Sequence, residues 1–366
     1  MDVLRLAGSP GVGKSAVGWA VAERIAAGGR PVAYVDIDQL GICYPATQDD
    51  PDRWELKERA LVRLADQYRQ AGVAQLIVSG VASPDLPPPA HPGVSTRSLW
   101  LDADADVRRA RLRPRGWASE YADEVVRIGT EEAARLDNSW ERLSTNELTV
   151  AETVHAVVSR WALETPHTIR FLRNGAEGDS AAEPPVEGTR KVGHVLWITG
   201  PRCVGASTAG WLIAADDWQQ GRRTGFIDIA QLSFSWNNDV PIGLTNGVAL
   251  QETFAATGVE GFVIVAPLDI EPAQVRVAFA GAKVSVVRLD ATDAELFDRA
   301  LARTHGEGPL LSGDDLLGAS TAEAEALIAS AISRQRIAAR PGEVLIDTSD
   351  SDVLASKAKV IAAAEW

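Results

Sequence analysis

The sequence predicts an α/β protein of two tandem domains, each with a mostly parallel five-stranded sheet flanked by helices. Three observations predict this class. Short apolar runs alternate with helical segments, as they do in βαβ units. The second half of the chain repeats the first at an offset of 192 residues. The composition, 46% hydrophobic and 23% charged residues in a chain of 366, is that of a globular protein.

Hydrophobic periodicity and turn residues place the elements along the chain. In the first half we predict strands over residues 3–7, 31–35, 76–79 and 98–101, and helices over residues 14–27, 55–71, 105–112, 121–136 and 150–162. In the second half the predicted strands cover residues 195–199, 224–227, 262–265, 283–288 and 344–346.

The internal repeat is clearest near the start of each half. Thirteen of the 34 positions in Gly8–Gly41 are identical to those in Gly200–Ser233, and Trp19 matches Trp211. A period this long indicates a duplicated domain rather than a solenoid. We therefore predict one domain over residues 1–165, a linker rich in Gly, Pro and acidic residues over 166–192, and a second domain over 193–366.

Charge and composition exclude several classes of protein. A net charge of −14 argues against general binding to nucleic acid or to an anionic membrane, because phosphate backbones need a basic surface. No apolar run approaches the roughly 20 residues of a membrane helix, and the N-terminus lacks the pattern of a signal peptide. Two cysteines cannot form a disulfide framework. We expect a cytoplasmic protein.

A glycine-rich loop carries the strongest chemical signal. The segment Gly8–Ser15, with sequence GSPGVGKS, fits the pattern G-x-x-x-x-G-K-[ST] and lies between a predicted strand and a predicted helix. Glycines there let successive N–H groups surround an anion, and the helix N-terminus adds its dipole. Lysine in this motif reaches the β- and γ-phosphates, and the hydroxyl binds Mg²⁺. The residues expected to bind the nucleotide are Gly8, Gly11, Val12, Gly13, Lys14, Ser15 and Ala16.

Two aspartates follow the second predicted strand. Asp36 and Asp38 are two residues apart, so both point to one face at the carboxyl end of a parallel strand, where ligands bind. One carboxylate is expected to support Mg²⁺ and the other to orient or deprotonate a hydroxyl. The second half has Ala206 where the first has Lys14, and Ala230 where it has Asp38. We therefore interpret the second copy as degenerate.

These motifs resemble the P-loop small-molecule kinases, the group of nucleoside-monophosphate, shikimate and gluconate kinases. The matching residues are Gly8–Ser15, the pair Asp36 and Asp38, and Ser79-Gly80 after the third strand. The resemblance implies two P-loop NTPase domains. It assigns Asp36 to the magnesium, Asp38 to the acceptor, and places Gly80 beside the acceptor.

Five arginines fall within eight residues, from Arg108 to Arg115. Such a concentration of cations in an acidic chain suggests an anion site, because guanidinium groups stabilise a phosphoryl group in transfer. In the resembled kinases this segment is a lid that closes over ATP. We expect Arg111 and Arg115 to contact the phosphates. The alternative is an exposed helix face paired with neighbouring aspartates.

The segment between Asp38 and the next helix is where an acceptor would bind. Tyr44 is placed to stack on a ring, and Arg53 to hold an anion. The alternative is that the aromatic residues of this segment, such as Trp54, are packing anchors.

The leading hypothesis is an ATP- and Mg²⁺-dependent phosphotransferase acting on a small-molecule hydroxyl or phosphate, with catalysis in the first copy. Its catalytic residues are Lys14, Asp38, Arg111 and Arg115. The second copy would be a pseudo-kinase domain that packs on the first or forms a homodimer. The alternative is a nucleotide-binding sensor in which the second copy binds a partner. A kinase acting on RNA ends is disfavoured by the acidic charge.

Overall fold

A computed structural model of the protein describes residues 1–90, 94–113, 118–161, 192–307, 313–335 and 338–366. The predicted linker, apart from Val192, lies outside these ranges, as does Arg115. Val192 is fully buried in an apolar core. The domain boundary at residues 166–192 stays a prediction.

The described residues form twelve β-strands, six from each half of the chain. In the first half they are β1 (Asp2–Ala7), β2 (Val32–Asp36), β3 (Cys43–Tyr44), β4 (Gln75–Ser79), β5 (Ser95–Asp102) and β6 (Glu141–Ser144). In the second half they are β7 (His194–Thr199), β8 (Thr224–Asp228), β9 (Ser235–Trp236), β10 (Gly261–Ala266), β11 (Lys283–Asp290) and β12 (Val344–Asp347). The predicted strands are all present, and β3, β6 and β9 were not predicted.

The strands form two sheets with the same strand order. The first sheet runs β6-β5-β1-β4-β2-β9 and the second β12-β11-β7-β10-β8-β3. In each sheet the five longer strands are parallel. The prediction of five strands per sheet is wrong by one, because each sheet has a sixth strand and is mixed.

The sixth strand of each sheet comes from the other half of the chain. β9 pairs antiparallel with β2, and β3 pairs antiparallel with β8. Each of these short strands follows a 3-10 turn at the end of its own sheet, over Ile37–Gly41 and Ile229–Leu232. The exchange covers an edge whose N–H and C=O groups would otherwise lack backbone partners.

Eleven α-helices lie in the described residues. In the first half they are α1 (Lys14–Ala27), α2 (Trp54–Gln70), α3 (Ala105–Leu112), α4 (Ser119–Ala134) and α5 (Val150–Arg160). In the second half they are α6 (Ala206–Gln219), α7 (Gly243–Ala255), α8 (Pro272–Ala278), α9 (Asp293–Thr304), α10 (Thr321–Gln335) and α11 (Val353–Ala364). None of the helices in the described ranges is long and apolar enough to cross a membrane.

One apolar core is shared by the two halves. It combines residues of both sheets with the packed helices α2 and α7, and includes Leu64 of α2, Phe254 of α7 and Trp197 of β7, all fully buried. Each sheet has a further core on its other face. In the first half this core lies beneath α1 and α5, and in the second it lies beneath α6 and α11. The shared core joins the halves through burial of apolar surface, the dominant favourable term in folding.

Polar contacts also cross between the halves. The Tyr68 hydroxyl donates to the Leu232 carbonyl at 2.8 Å, and the Arg63 guanidinium lies 2.6 Å from the Glu252 carboxylate. Where the strands are exchanged, the Phe226 N–H donates to Ile42 and the Tyr34 N–H donates to Phe234. The two halves are therefore joined along both exchanged edges as well as through the core.

Candidate phosphate-binding and acceptor site

The predicted phosphate loop connects β1 to α1, as its motif requires. Gly8, Gly11 and Gly13 have φ values of +141°, +88° and +99°, and Gly13 caps α1. A Cβ atom on Gly8 would lie 2.3 Å from the Leu101 carbonyl oxygen, so the close approach of β5 excludes any side chain there. Left-handed residues of this kind turn backbone N–H groups into an anion-binding concavity.

Four of the predicted nucleotide-binding side chains lie at the start of α1 or just before it. The Lys14 ammonium donates to the Ser9 carbonyl at 3.1 Å, which brings the cation back to the loop. The Ser15 hydroxyl donates to Asp36 Oδ2 at 3.3 Å. Val12 is buried beneath the loop, whereas Ala16 is exposed on the first turn of the helix. Their roles toward a nucleotide stay predictions.

Asp36 ends β2 and faces the loop. Burial raises the pKa of this carboxyl to about 6, and the neighbouring Asp38 charge adds to the increase. The Asp38 N–H donates to Asp36 Oδ1 at 3.0 Å, and the Lys14 charge and the Ser15 hydroxyl also oppose the rise in pKa. With this pKa the carboxyl is ionised near neutral pH, as a group that meets a cation must be.

Asp38 lies two residues further along, within the 3-10 turn over Ile37–Gly41, and its side chain is 44% exposed. Its Oδ1 atom is 3.1 Å from the ammonium of Lys57, a buried lysine on α2. A Cβ atom on Gly80, after β4, would lie 3.0 Å from Asp36 Oδ1 and 3.3 Å from Asp38 Oδ2. The structure therefore brings Gly80, Asp36 and Asp38 together next to the phosphate loop.

Lys57 is a member of this site that sequence reasoning missed. Its ammonium lies 4.8 Å from the centroid of the Trp54 ring, within range of a cation–π interaction. Its methylene chain packs against Gly41, where a Cβ atom would approach it within 2.6 Å. The available signal was spacing, because Lys57 shares the apolar face of α2 with Leu61 and Leu64.

Tyr44 and Arg53 lie where the two halves meet. The Tyr44 ring packs against Trp218 of α6, with ring centroids 4.9 Å apart, and the Arg53 guanidinium lies 4.0 Å above the Tyr44 ring. Tyr44 also belongs to β3 and pairs with Thr224. Tyr44 therefore contacts the second half through both its ring and its backbone. The roles of Tyr44 and Arg53 toward an acceptor stay predictions.

Arginines of helix α3 donate hydrogen bonds to backbone carbonyls of the phosphate loop. Arg111 donates to the Val12 carbonyl at 3.3 Å and to the Thr145 hydroxyl and carbonyl at 2.9 and 2.7 Å. Arg108, which the sequence analysis did not single out, is fully buried and donates to the Pro10 carbonyl at 3.1 Å and to the Val126 carbonyl at 2.8 Å. The contact of Arg111 with phosphate stays a prediction, and that of Arg115 lies outside the described residues.

The second half keeps the scaffold of this site without two of its charged groups. Gly205 caps α6 with φ +94°, Ser207 donates to Asp228 Oδ2 at 2.9 Å, and burial raises the pKa of Asp228. Arg299 donates to the Val204 carbonyl at 2.9 Å, as Arg111 does to Val12. Ala206 supplies no ammonium at the start of the helix.

Two oxygen donors of the first half fit a magnesium ion. The described parts of the chain contain no group of three or more His, Cys, Asp or Glu side chains that could hold a metal ion by itself. Mg²⁺, however, commonly binds through one or two protein oxygens together with phosphates and water. Ser15 and Asp36 supply such a pair, facing each other at 3.3 Å.

The structural neighbours described below are distant ones. No protein-family model matches the sequence, and no curated protein matches it. A sugar kinase from Janibacter covers 45% of this chain and 96% of its own, with 18% identity and a TM-score of 0.32. A gluconokinase from Sinorhizobium meliloti covers 44% and 93%, with 21% identity and a TM-score of 0.30.

A third neighbour is a shikimate kinase from Bacteroides thetaiotaomicron. It covers 44% of this chain and 95% of its own, with 18% identity and a TM-score of 0.28. At TM-scores near 0.3 these likenesses assign neither a substrate nor a reaction to this chain. The chain is thus similar, over less than half of its length, to three small-molecule kinases.

Proposed function

We propose that the first half is an ATP-dependent phosphotransferase that moves the γ-phosphoryl group to a hydroxyl or phosphate of a small molecule. The observation that carries the proposal is the meeting of a phosphate-loop lysine with two aspartates. Lys14, Asp36 and Asp38 lie together at the carboxyl ends of β1 and β2, where open α/β sheets bind ligands.

The phosphate loop and Lys14 bind the nucleotide in this proposal. The Lys14 ammonium leaves the Ser9 carbonyl and meets the β- and γ-phosphates, where it offsets the charge that develops during transfer. Ser15 and Asp36 would hold Mg²⁺, which when bound neutralises charge on the phosphates. Arg108 fixes the loop by its bond to the Pro10 carbonyl.

Asp38 acts on the acceptor. Its Oδ1 atom is held by Lys57, and its Oδ2 atom lies beside Gly80, where a Cβ atom would approach it within 3.3 Å. Asp38 accepts the proton of the acceptor hydroxyl. The acceptor oxygen bonds to the γ-phosphorus as the bond from that phosphorus to the β–γ bridging oxygen breaks, and ADP leaves.

The second half serves the first as a structural partner, and we propose that it arose by duplication. It transfers no phosphoryl group because it has Ala206 and Ala230 in place of Lys14 and Asp38. Through β8 it pairs with β3, the strand that follows the Asp38 turn. In this role it holds the start of the segment that leads from Asp38 to α2.

The test measures ADP release from Mg·ATP with pools of nucleosides, nucleotides, sugars, sugar acids and other hydroxylated metabolites. We expect one pool to stimulate release and Lys14→Ala to lower it by roughly a hundredfold or more, since a preorganised charge of this kind contributes that much. Ala206→Ser, at the equivalent position, is the matched control and should leave the rate unchanged. A Lys14→Ala protein with full turnover contradicts the proposal.

A nucleotide sensor is the second candidate. The observation that favours it is the direct pairing of β3 with β8. β3 follows the Asp38 turn and β8 ends at Asp228, so this pairing connects the Asp38 site of the first half with the equivalent region of the second. In that case ATP binds, Lys14→Ala abolishes binding, and no pool stimulates ADP release. Titration with a fluorescent ATP analogue beside the release assay separates the two functions.

A further inference from the structure

A cavity of about 330 Å³ lies where the exchanged strand β3 joins the sheet of the second half. Its walls are Tyr44 and Pro45 of the first half and Trp211 and Trp218 of α6. The lining is almost wholly apolar, and the volume is at the lower end of the roughly 300–1,000 Å³ range of small-molecule sites. The cavity is therefore large enough for one small molecule, which both halves would contact.

The aromatic walls of this cavity support one another. Trp211 and Trp218 pack edge to face with ring centroids 5.2 Å apart, and Trp218 packs against Tyr44 at 4.9 Å. The Trp218 N–H donates to the Thr224 carbonyl at 2.8 Å, which fixes the orientation of its ring. Trp211 is nevertheless 44% exposed, so one ring of the cluster is open to a ligand.

The equivalent junction of the first sheet is built with other residues. β9 pairs with β2 in the same register as β3 pairs with β8. There the Asn237 amide donates to the Ala26 and Arg30 carbonyls at 2.8 and 3.1 Å. At the repeat offset of 192 residues, Pro45 stands in place of Asn237, and Trp218 in place of Ala26. A hydrogen-bonded tie to the helix is thus replaced by two rings that line the cavity.

The cavity lies on the α6 face of the second sheet. Successive residues of a strand point to opposite faces. Cys43 is buried in the shared core with α2, and Tyr44 faces Trp218 of α6 on the other side. Lys57, the partner of Asp38, is carried by α2. Tyr44 is therefore better placed for a ligand at this junction than for one at Asp38.

Arg53 places a positive charge beside the apolar lining. Its guanidinium lies 4.0 Å above the Tyr44 ring, within range of a cation–π interaction. No carboxylate in the described ranges pairs with it, and its buried Nε atom has no hydrogen-bond partner there. Asp50, three residues earlier, accepts instead from the N–H groups of Glu55 and Leu56 at the start of α2. The Arg53 cation is thus available to an external anion.

The backbone of Arg53 is also unusual. Its φ of +60° and ψ of +31° lie in the left-handed region, which residues with a side chain rarely adopt. Strain of this kind is found most often at ligand sites, where the surrounding structure holds it. A glycine at this position would relieve the strain and lose the cation.

We propose that this cavity binds a small aromatic acid, with its ring against the two tryptophans of α6 and its carboxylate at Arg53. The lining favours an aromatic over a saturated ring, because edge-to-face contacts add to the burial of apolar surface. The unpaired charge of Arg53 disfavours an amine. The proposal assigns Tyr44 and Arg53 to a ligand held by both halves, and it does not depend on the reaction of the first half.

The test compares three probes by isothermal titration calorimetry on the full chain: 3-phenylpropionate, 3-phenyl-1-propanol and 3-cyclohexylpropionate. The first two share the ring and differ in charge, whereas the first and third share the charge and differ in the ring. We expect saturable binding of 3-phenylpropionate and roughly tenfold weaker binding, or less, of the alcohol. The cyclohexyl acid should bind roughly two- to tenfold more weakly than 3-phenylpropionate.

Three variants locate the two parts of the ligand. Arg53→Gln removes the cation and should weaken 3-phenylpropionate roughly tenfold while leaving the alcohol unchanged. Arg59→Gln removes an exposed arginine from the second turn of α2 and, as the matched control, should change neither. Trp211→Ala removes one wall and should weaken both phenyl probes by roughly tenfold or more, with circular dichroism confirming the fold.

Equal binding of the acid and the alcohol, or equal binding of the acid by wild type and Arg53→Gln, overturns the proposal. Tighter binding of the cyclohexyl acid than of 3-phenylpropionate excludes an aromatic ligand and overturns it as well. No saturable heat with 3-phenylpropionate, or full binding by the Trp211→Ala protein, also contradicts it and leaves an apolar crease between the halves.

Discussion

Lys14 and Ala206 occupy the same place in the two halves, as the first residue of the helix after a glycine-capped loop. The loops are built alike around them. A Cβ atom on Gly8 would lie 2.3 Å from the Leu101 carbonyl, and one on Gly200 would lie 2.6 Å from the Leu289 carbonyl. The first glycine is therefore required by packing in both halves, whether or not a lysine follows. The loops differ in the residue that follows the last glycine, which is charged only in the first half.

The same contrast holds at the next strand. Asp36 and Asp228 each end a strand, accept a hydrogen bond from the serine at the start of the preceding helix, and have a pKa raised by burial. Asp38 has no acidic counterpart, since Ala230 stands there. Four pairs of substitutions, one member in each half, test how far the halves differ in function and in stability.

The largest effect is expected at Asp38. Asp38→Asn removes the proposed proton acceptor while keeping the shape of the side chain, so kcat for the acceptor reaction should fall by roughly 10²–10⁴-fold. Nucleotide binding, followed with a fluorescent ATP analogue, should change little. Ala230→Asn places the same residue at the equivalent exposed position of the second half and should leave kcat unaltered. An Asp38→Asn protein with full kcat removes the assignment of Asp38 as the base.

The two equivalent tryptophans should differ in their contribution to stability. Trp19 packs edge-on against Tyr34 and against Phe234 and Trp236 of the other half, whereas Trp211 is 44% exposed. Trp19→Ala should lower the free energy of unfolding by about 3 kcal/mol. Trp211→Ala should cost about 1 kcal/mol, because less surface is lost. Urea denaturation measures both, and equal costs would contradict the role of Trp19 at the junction.

Asp36 gives stability a dependence on pH. Its pKa is about 6 in the folded protein against 3.8 for a free side chain, so the folded state keeps the proton up to a higher pH than the unfolded state does. The free energy of unfolding should therefore fall as pH rises from about 4 to about 6. Asp36→Asn removes this loss and should stabilise the protein at pH 8 by about 3 kcal/mol, with no gain below pH 4.

The matched variant for that comparison is Asp228→Asn. Burial raises the pKa of Asp228 as well, so this variant should also gain stability at pH 8. The two variants should differ in Mg²⁺-dependent turnover, which Asp36→Asn should abolish and Asp228→Asn should preserve. Loss of turnover in both variants would show that the second half shares in the reaction.

The smallest effect is expected at exposed ion pairs. Arg109 lies 2.7 Å from Asp106 and 2.6 Å from Asp123, and in the second half Lys283 lies 3.1 Å from Glu365. Arg109→Ala and Lys283→Ala should each change the free energy of unfolding by less than about 0.5 kcal/mol, because solvent screens such pairs. A larger loss for Arg109 in urea denaturation would mean that its pairs hold α4 in place.

Most of the fold could be predicted from local sequence patterns. The parallel strands, the helix after the glycine loop and the aspartate pair each have a signal within a few residues of sequence. β3 and β9 do not, because each is two residues long and its partner lies about 180 to 200 residues away. The predicted five strands per sheet were wrong for this reason.

The same limit applies to the candidate site. Lys14, Ser15, Asp36 and Gly80 could be found by motif or resemblance, and the structure brings them together. Lys57 and Arg108 come from helices, and only tertiary packing shows that their side chains are buried beside the loop and the aspartates. Tyr44 was predicted from its position before α2, and no local pattern shows that its ring packs on Trp218 of the other half.

The exchanged strands have a consequence for how the chain can be divided. Each half lends the other the strand that closes its sheet, so a fragment ending near residue 165 would expose the β2 edge and the apolar faces of α2 and β4. Such a fragment alone is a candidate for aggregation. Two fragments made together, 1–165 and 192–366, should instead recognise each other as the subunits of a heterodimer do. The covalent connection would then matter mainly for their effective concentration.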